Sequence, residues 1–167
     1  MKTTGICSLI CLICIALLTV TSLSGCGNTS AMPFNGDVTF HSISLHIDDR
    51  FIRDSTQSTA DMWVFERGGY QEYVLISKQT ITASPESFLP SYAESMEDVG
   101  AETEIKKFLG TDAVYSAYEK DGIFCQEVLF SYNGSYYAIA LRGGTEEGFA
   151  ELIGSVRLIE VSNTSDL

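Results

Sequence analysis

The sequence has little basic charge and few side chains that could act as nitrogen or sulfur ligands. Ten Lys and Arg stand against 22 Asp and Glu, and the 167 residues include two histidines. Nucleic acid and anionic lipid headgroups repel a chain this acidic, so neither is an expected partner. His41 and His46 are five residues apart on one predicted strand, which puts them on opposite faces and excludes a catalytic pair.

Common catalytic and metal-binding motifs are missing as well. There is no Gly-x-Ser-x-Gly, no His-Glu-x-x-His and no pair of Cys-x-x-Cys motifs. We therefore expect no catalytic residue of these classes, no metal and no cofactor. Arg142-Gly143-Gly144-Thr145 leads into a predicted helix, but Glu146 and Glu147 already place negative charge at its positive end. This segment predicts a capped turn rather than a phosphate site.

The N-terminus has the pattern of an export signal. Lys2 precedes an uncharged apolar run from Ile6 to Val20, and small residues lead into Leu23-Ser24-Gly25-Cys26. This tetrad resembles the lipobox of bacterial lipoproteins, in which cleavage falls between Gly25 and Cys26. The resemblance implies that Cys26 carries diacylglycerol and further acyl groups such as palmitate. A lipid anchor of this kind would hold the domain at the extracytoplasmic face of the cell membrane.

An uncleaved membrane-spanning helix is the alternative interpretation of this run. The wider stretch from Gly5 to Leu23 is nineteen residues long, close to the roughly 20 residues that cross a bilayer. No Lys or Arg flanks its far end, because the next basic residue is Arg50, and this favours the cleaved signal peptide.

Cleavage at this point sets the domain organisation. Residues 1–25 form the predicted signal peptide, and residues 26–36, rich in Gly, Asn, Thr and Ser, form a flexible tether. Residues 37–160 form a single domain, followed by a polar tail at 161–167. Cys125 is then the only thiol beside the lipidated one, so no intramolecular disulfide is possible. Its apolar surroundings predict a buried cysteine.

The first half of the domain predicts a strand, a hairpin and a helix. Alternating apolar residues predict a strand at Ile43–Ile47, and β-prone runs around Gly68-Gly69 predict a hairpin of Met62–Glu66 with Tyr73–Ser77. Phe88, Tyr92, Met96 and Val99 lie on one face of a helix that ends near Gly100. Ser84-Pro85 or Ser87 could cap the start of this helix, and because Pro90 is tolerated only in a first turn, a start near Ser87 is favoured.

The second half predicts a meander of four strands and a second helix. The strands are Thr103–Phe108, Ala113–Glu119, Ile123–Tyr132 and Tyr136–Arg142, and Asp-Gly and Asn-Gly turns separate the later ones. Thr145 caps the helix that follows. The chain is therefore predicted to be an α+β domain, in which helices pack on an antiparallel sheet made of a hairpin and a four-stranded meander.

This order of elements resembles the Mog1/PsbP-like fold. The resemblance includes the turn from Ile47 to Phe51 and an aromatic strand that leads to a Phe-containing last helix with Ser155-Val156 behind it. Domains of this fold are mostly accessory subunits. The resemblance therefore implies a non-enzymatic binding or assembly module, with a protein or small ligand as its partner.

Tyrosines and one carboxylate are the candidate functional residues besides Cys26. Tyr115, Tyr118, Tyr136 and Tyr137 form a candidate partner surface, because exposed tyrosine favours interfaces. The alternative is that helices cover both sheet faces and all four are core.

Glu127 lies in an apolar strand, where it is expected to pair with Arg142 or Lys120 or to point to solvent at a sheet edge. A small cell-envelope hydrolase is the rival function, with Glu127 or Asp121 as acid and base.

Overall fold

The structure is a computed structural model that describes residues 36–160. The predicted signal peptide, its cleavage point, Cys26, the tether up to residue 35 and the tail at 161–167 lie outside the described residues. Within residues 36–160, no helix is long and apolar enough to cross a membrane.

Strands make up most of the domain. In chain order the elements are β1 (Gly36–Phe40), β2 (Ile43–Ile47), β3 (Ile52–Asp54), β4 (Met62–Arg67), β5 (Glu72–Gln79), α1 (Pro85–Glu97), β6 (Glu102–Phe108), β7 (Thr111–Lys120), β8 (Ile123–Tyr132), β9 (Ser135–Arg142), α2 (Glu146–Gly154) and β10 (Arg157–Leu158).

These strands form two antiparallel sheets. The larger has the order β3-β4-β5-β9-β8-β7-β6, and the smaller has the order β1-β2-β10. The predicted hairpin is β4–β5 and the predicted meander is β6–β9, so the α+β class is confirmed. The two parts join where β5 pairs with β9, from Tyr73 opposite Arg142 to Gln79 opposite Tyr136.

Both faces of the large sheet are covered. On one face the hairpin β1–β2 and helix α2 enclose the main core, where Phe40, Ile76, Phe130 and Ile139 are almost fully buried. On the other face lies α1, whose Phe88 ring meets the Tyr136 ring at 4.6 Å between centroids. Because neighbouring residues on a strand point to opposite faces, β9 contributes Tyr136 to the α1 side and Tyr137 to the main core.

The start of α1 differs from the prediction. The helix begins at Pro85 rather than near Ser87, with Ser84 as the N-cap residue and Pro85 in the first turn. Pro90 therefore lies in the second turn, inside the helix, where it removes one backbone hydrogen bond. The helix persists because it buries Phe88, Leu89 and Tyr92 against the sheet, and tertiary packing outweighs local propensity.

Three strands were not predicted. β1 begins at the last residue of the predicted tether and pairs with β2 from Gly36 opposite Ile47 to Phe40 opposite Ile43. β3 is a short edge strand in the polar stretch after Phe51, and β10 pairs with the other edge of β2. None has a strong pattern of its own in the sequence, since β1 has only two apolar side chains and β3 and β10 are three and two residues long.

Candidate functional site

A groove of about 810 Å³ opens beside the β2–β3 loop, between the end of β9 and helix α2. Apolar side chains line its inner part, namely Ile47, Phe51, Val74, Leu141 and Leu152, of which Phe51 is only 5% exposed. Charged side chains line the rest. These are Asp48, Asp49, Arg50, Arg67, Glu72, Glu147 and Glu151. We call this feature the acidic groove.

Two glycines make the tight connection from β9 to α2 that shapes one end of the groove. Gly143 has φ +74°, a left-handed conformation that favours glycine, and a Cβ there would overlap the carbonyl oxygen of Gln71. A Cβ at Gly144 would overlap the side chain of Leu141. The chain can therefore turn this closely only with glycine at both positions.

Helix α2 begins directly after these glycines. The Thr145 hydroxyl accepts a hydrogen bond of 3.1 Å from the backbone N–H of Gly148, which confirms the predicted N-cap. Glu147 and Glu151 both line the groove, because residues four apart lie on the same side of a helix.

Both arginines of the groove are already paired within it. Arg50 donates from Nε to Asp48 Oδ1 at 2.8 Å and from Nη2 to Oδ2 at 2.5 Å. These hydrogen bonds hold the pKa of Asp48 well below its usual range. Arg67 donates from Nε to Glu72 Oε2 at 2.8 Å, and its guanidinium lies 4.9 Å from the Phe51 ring centre.

The remaining acids give the groove its charge. Asp49, Glu147 and Glu151 are exposed and make no ion pair with another described residue. His46, also at the groove, has its Nδ1 3.3 Å from Asp37 Oδ1. Five carboxylates outnumber two guanidinium groups, so the lining carries an excess of negative charge. The groove therefore attracts positively charged groups at its rim and can bury apolar ones within.

Glu127 occupies a different place from the one predicted. It is 1% exposed, on the face of the sheet that α1 covers, and its partner is neither Arg142 nor Lys120. Instead the Tyr92 hydroxyl on α1 donates to Glu127 Oε1. Burial raises the pKa of Glu127 to about 7, and the Tyr92 hydrogen bond opposes this shift. Tyr92 lies on the apolar face of the predicted helix, and a buried tyrosine hydroxyl needs a hydrogen-bond acceptor. This requirement is the signal in the sequence that could have suggested Glu127 as its partner.

The four candidate tyrosines do not form one surface. Tyr136 is 3% exposed and donates from its hydroxyl to the Ala83 carbonyl at 2.8 Å, while Tyr137 is 1% exposed and stacks on Phe130. Helix α1 and the main core cover these two side chains, so the prediction that they face a partner is wrong. Tyr115 and Tyr118 are partly buried, and Tyr115 packs edge-on against Phe108 with Lys106 over its ring.

The histidines and the proposed acid–base pair are also separated. His41 lies in the β1–β2 turn with φ +53°, not on a strand as predicted, and its Nε2 is 3.2 Å from Asp61 Oδ1. Asp121 is in the β7–β8 turn, six residues from Glu127 along β8, or roughly 20 Å in an extended strand. Neither Asp121 nor Glu127 lines the acidic groove.

Cys125 is buried, as predicted, and burial raises the pKa of its thiol. Asp54, at the end of β3, accepts hydrogen bonds from the Thr56 backbone and hydroxyl at 2.7 and 2.6 Å. Among residues 36–160, no group of three or more His, Cys, Asp or Glu side chains is arranged to hold a metal ion.

Comparison with known proteins adds a structural relative. No protein-family model matches the chain, and no curated protein matches it. A crystal structure of a protein from Bacteroides thetaiotaomicron VPI-5482, at 1.50 Å resolution, is similar with a TM-score of 0.51 and 12% identity. The match covers 78% of this chain and 50% of that one, so this chain spans about half the length of its relative. A likeness at this identity shows the fold alone.

Proposed function

We propose that the protein is a lipid-anchored binding or assembly module that holds a ligand in the acidic groove outside the cell membrane. The observation that carries the proposal is the groove itself, about 810 Å³ in volume, with apolar side chains inside and charged ones around them. Concave sites of this size that combine apolar surface with a few polar groups are the usual ligand sites of proteins.

The arrangement of charge favours binding over acid–base catalysis. Each arginine of the groove is neutralised by an acid beside it, so both form fixed parts of the wall. The exposed acids Asp49, Glu147 and Glu151 attract a positively charged partner and set its orientation. The buried carboxylate Glu127 lies elsewhere and serves the packing of α1.

The groove lies close to the point where the tether joins the domain. Gly36, the first residue of β1, is opposite Ile47, which lines the groove. Nine residues lie between Cys26 and Gly36, and the ten Cα-to-Cα steps from one to the other span at most about 35 Å. If Cys26 carries the lipid, a ligand in the groove is held near the membrane surface.

The Mog1/PsbP-like fold is part of the same proposal. The order of the hairpin β4–β5, helix α1, the meander β6–β9 and helix α2 supports it. An experimental structure that superposes all of these elements on a PsbP domain in the same order would establish the finer assignment, and a different strand order would exclude it.

Lipidation is tested on the full chain in cells. Labelled palmitate should be incorporated into the native protein and not into Cys26→Ala, and the mature mass should match cleavage before Cys26. A native protein that takes up no lipid would exclude the anchor.

Ligand binding is tested with a photo-reactive amino acid placed at Glu147 in the groove and, as a control, at Lys107 on the exposed part of β6. We expect a defined adduct from position 147 only, and we expect the charge reversal Asp49→Lys to reduce it at least tenfold. Equal adducts from both positions, or adducts unaffected by Asp49→Lys, would exclude the groove as the binding site. Loss of the adduct in Cys26→Ala would show that binding requires the anchor.

A further inference from the structure

Glu127 is the only buried carboxylate among residues 36–160, and it lies where α1 meets the sheet. Its Oε1 accepts the hydrogen bond from Tyr92, while its Oε2 has no hydrogen-bond partner. The described ion pairs do not include Glu127. A carboxylate in this position is removed from bulk solvent, and no cation among the described residues forms an ion pair with it.

The groups that face Glu127 come from every element around it. Helix α1 contributes Tyr92, β7 contributes Ser116 and Tyr118, and β8 contributes Cys125. Ser116 is directly opposite Glu127 on the neighbouring strand, and its hydroxyl also has no hydrogen-bond partner.

Arg142, the buried cation of the sheet, is hydrogen-bonded to Tyr73. Arg142 on β9 is opposite Cys125, while Glu127 is opposite Ala140. The Arg142 guanidinium lies 5.6 Å from the ring centre of Tyr73 on β5, and Tyr73 is its hydrogen-bond partner. Glu127 therefore fits this interface as the neutral acid, because an unpaired buried charge is strongly destabilising.

We propose that α1 docks on the sheet through a proton-dependent latch at the Glu127–Tyr92 contact, in which a neutral Glu127 is accommodated and an ionised Glu127, buried without a cation, loosens the helix. When α1 moves away, the carboxyl group meets water and releases its proton, so docking and proton binding are coupled. Movement of the helix would uncover Phe88, Leu89 and Met96, which are buried in the docked state. The latch is independent of the acidic groove, whose lining does not include α1.

The pKa of about 7 for the docked Glu127 sets the range of the effect. An exposed Glu titrates near 4.5. Between pH 4.5 and pH 7, Glu127 is therefore ionised in the open state and protonated in the docked state. The opening constant of α1 should then rise about tenfold per pH unit and level off above the pKa of the docked state.

Amide hydrogen exchange on the full chain tests the latch, with Glu127→Gln as the matched control. Comparison of the two proteins at each pH cancels the intrinsic pH dependence of exchange. From pH 5 to 7 the protection of α1 amides in the native protein should fall about 40-fold in total relative to the variant. Amides of β1 and β2, which lie in the main core, should stay better protected than those of α1 at every pH because they need global unfolding to exchange. A flat ratio for α1, or α1 protection equal to that of β1 and β2, would overturn the proposal.

Tyr92→Phe provides a second test that does not depend on the behaviour of Glu127→Gln. The Tyr92 hydrogen bond lowers the pKa of Glu127, so its removal should move the midpoint of the α1 transition to higher pH. A midpoint that stays in place or moves to lower pH would contradict the latch, even if the variant is less stable at every pH.

Discussion

The Tyr92 hydroxyl on α1 donates a hydrogen bond to Glu127 Oε1 in the middle of β8, which joins the helix to the sheet through a fully buried carboxyl group. The effect of this pair on the stability of the interface between α1 and the sheet depends on pH. A neutral Glu127 satisfies the tyrosine hydroxyl at low cost, whereas an ionised one places an unpaired charge in the interface.

Glu127→Gln should therefore stabilise the protein at alkaline pH. Because burial raises the pKa of Glu127 from 4.5 to about 7, its contribution to stability is fully present below pH 4.5 and is lost as the pH rises through 7. Glutamine keeps the acceptor for Tyr92 and carries no charge. We expect the variant to gain about 3 kcal/mol over the native protein between pH 4.5 and pH 8, measured by urea unfolding at both. A gain that does not depend on pH would contradict the raised pKa.

Gly143→Ala should destabilise the domain more than Gly134→Ala. Both glycines have positive φ, but a Cβ at Gly134 meets open space, whereas one at Gly143 overlaps the Gln71 carbonyl oxygen. The change at Gly134 should cost about 1 kcal/mol from conformation alone, and that at Gly143 about 2–4 kcal/mol. Thermal unfolding of the two variants measures the difference. Equal losses would show that the connection before α2 is less tightly packed than described.

Thr145→Ala should destabilise α2, and Ser84→Ala provides the control. The Thr145 hydroxyl accepts from the Gly148 N–H, while the Ser84 side chain makes no capping hydrogen bond at the start of α1. We expect a loss of about 1 kcal/mol for Thr145→Ala and a smaller one for Ser84→Ala, measured by chemical denaturation. A larger loss at Ser84 would reverse this assignment of the caps.

Tyr137→Ala should be far more destabilising than Tyr115→Ala. Tyr137 is 1% exposed and stacks on Phe130 at 5.7 Å between ring centres, so its removal leaves a cavity in the main core. We expect a loss of about 3–5 kcal/mol at Tyr137 and about 1 kcal/mol at the partly exposed Tyr115. Unfolding midpoints measure both. If Tyr137→Ala were as mild as Tyr115→Ala, Tyr137 would belong to the surface after all.

Local signals predicted the elements that depend on neighbouring residues. Asp121-Gly122 and Asn133-Gly134 have positive φ at both positions, as tight hairpin turns require, so the meander follows from its turns. Thr145 caps α2 for an equally local reason.

Features that depend on distant contacts could not be predicted in this way. The acidic groove is lined by the β2–β3 loop, the β4–β5 hairpin and α2. These segments are far apart in sequence, so no local pattern predicts that they meet. The partner of Glu127 was missed for the same reason, since Tyr92 lies on a helix that packs across strands formed later in the chain. Strand alternation puts Tyr136 and Tyr137 on opposite faces of β9, but the sequence left open whether both faces are covered, as they are in the structure.

The pairing of β5 with β9 also bears on how the chain reaches this fold. The hairpin β4–β5 and the meander β6–β9 each form from contacts that are close in sequence, whereas Tyr73 must find Arg142 across the whole of α1 and the meander. Closing so long a loop costs chain entropy before any contact forms. We therefore expect hairpin and meander to fold first and their association to limit the folding rate. Substitutions where β5 pairs with β9 should slow folding more than equally destabilising substitutions within the β4–β5 turn.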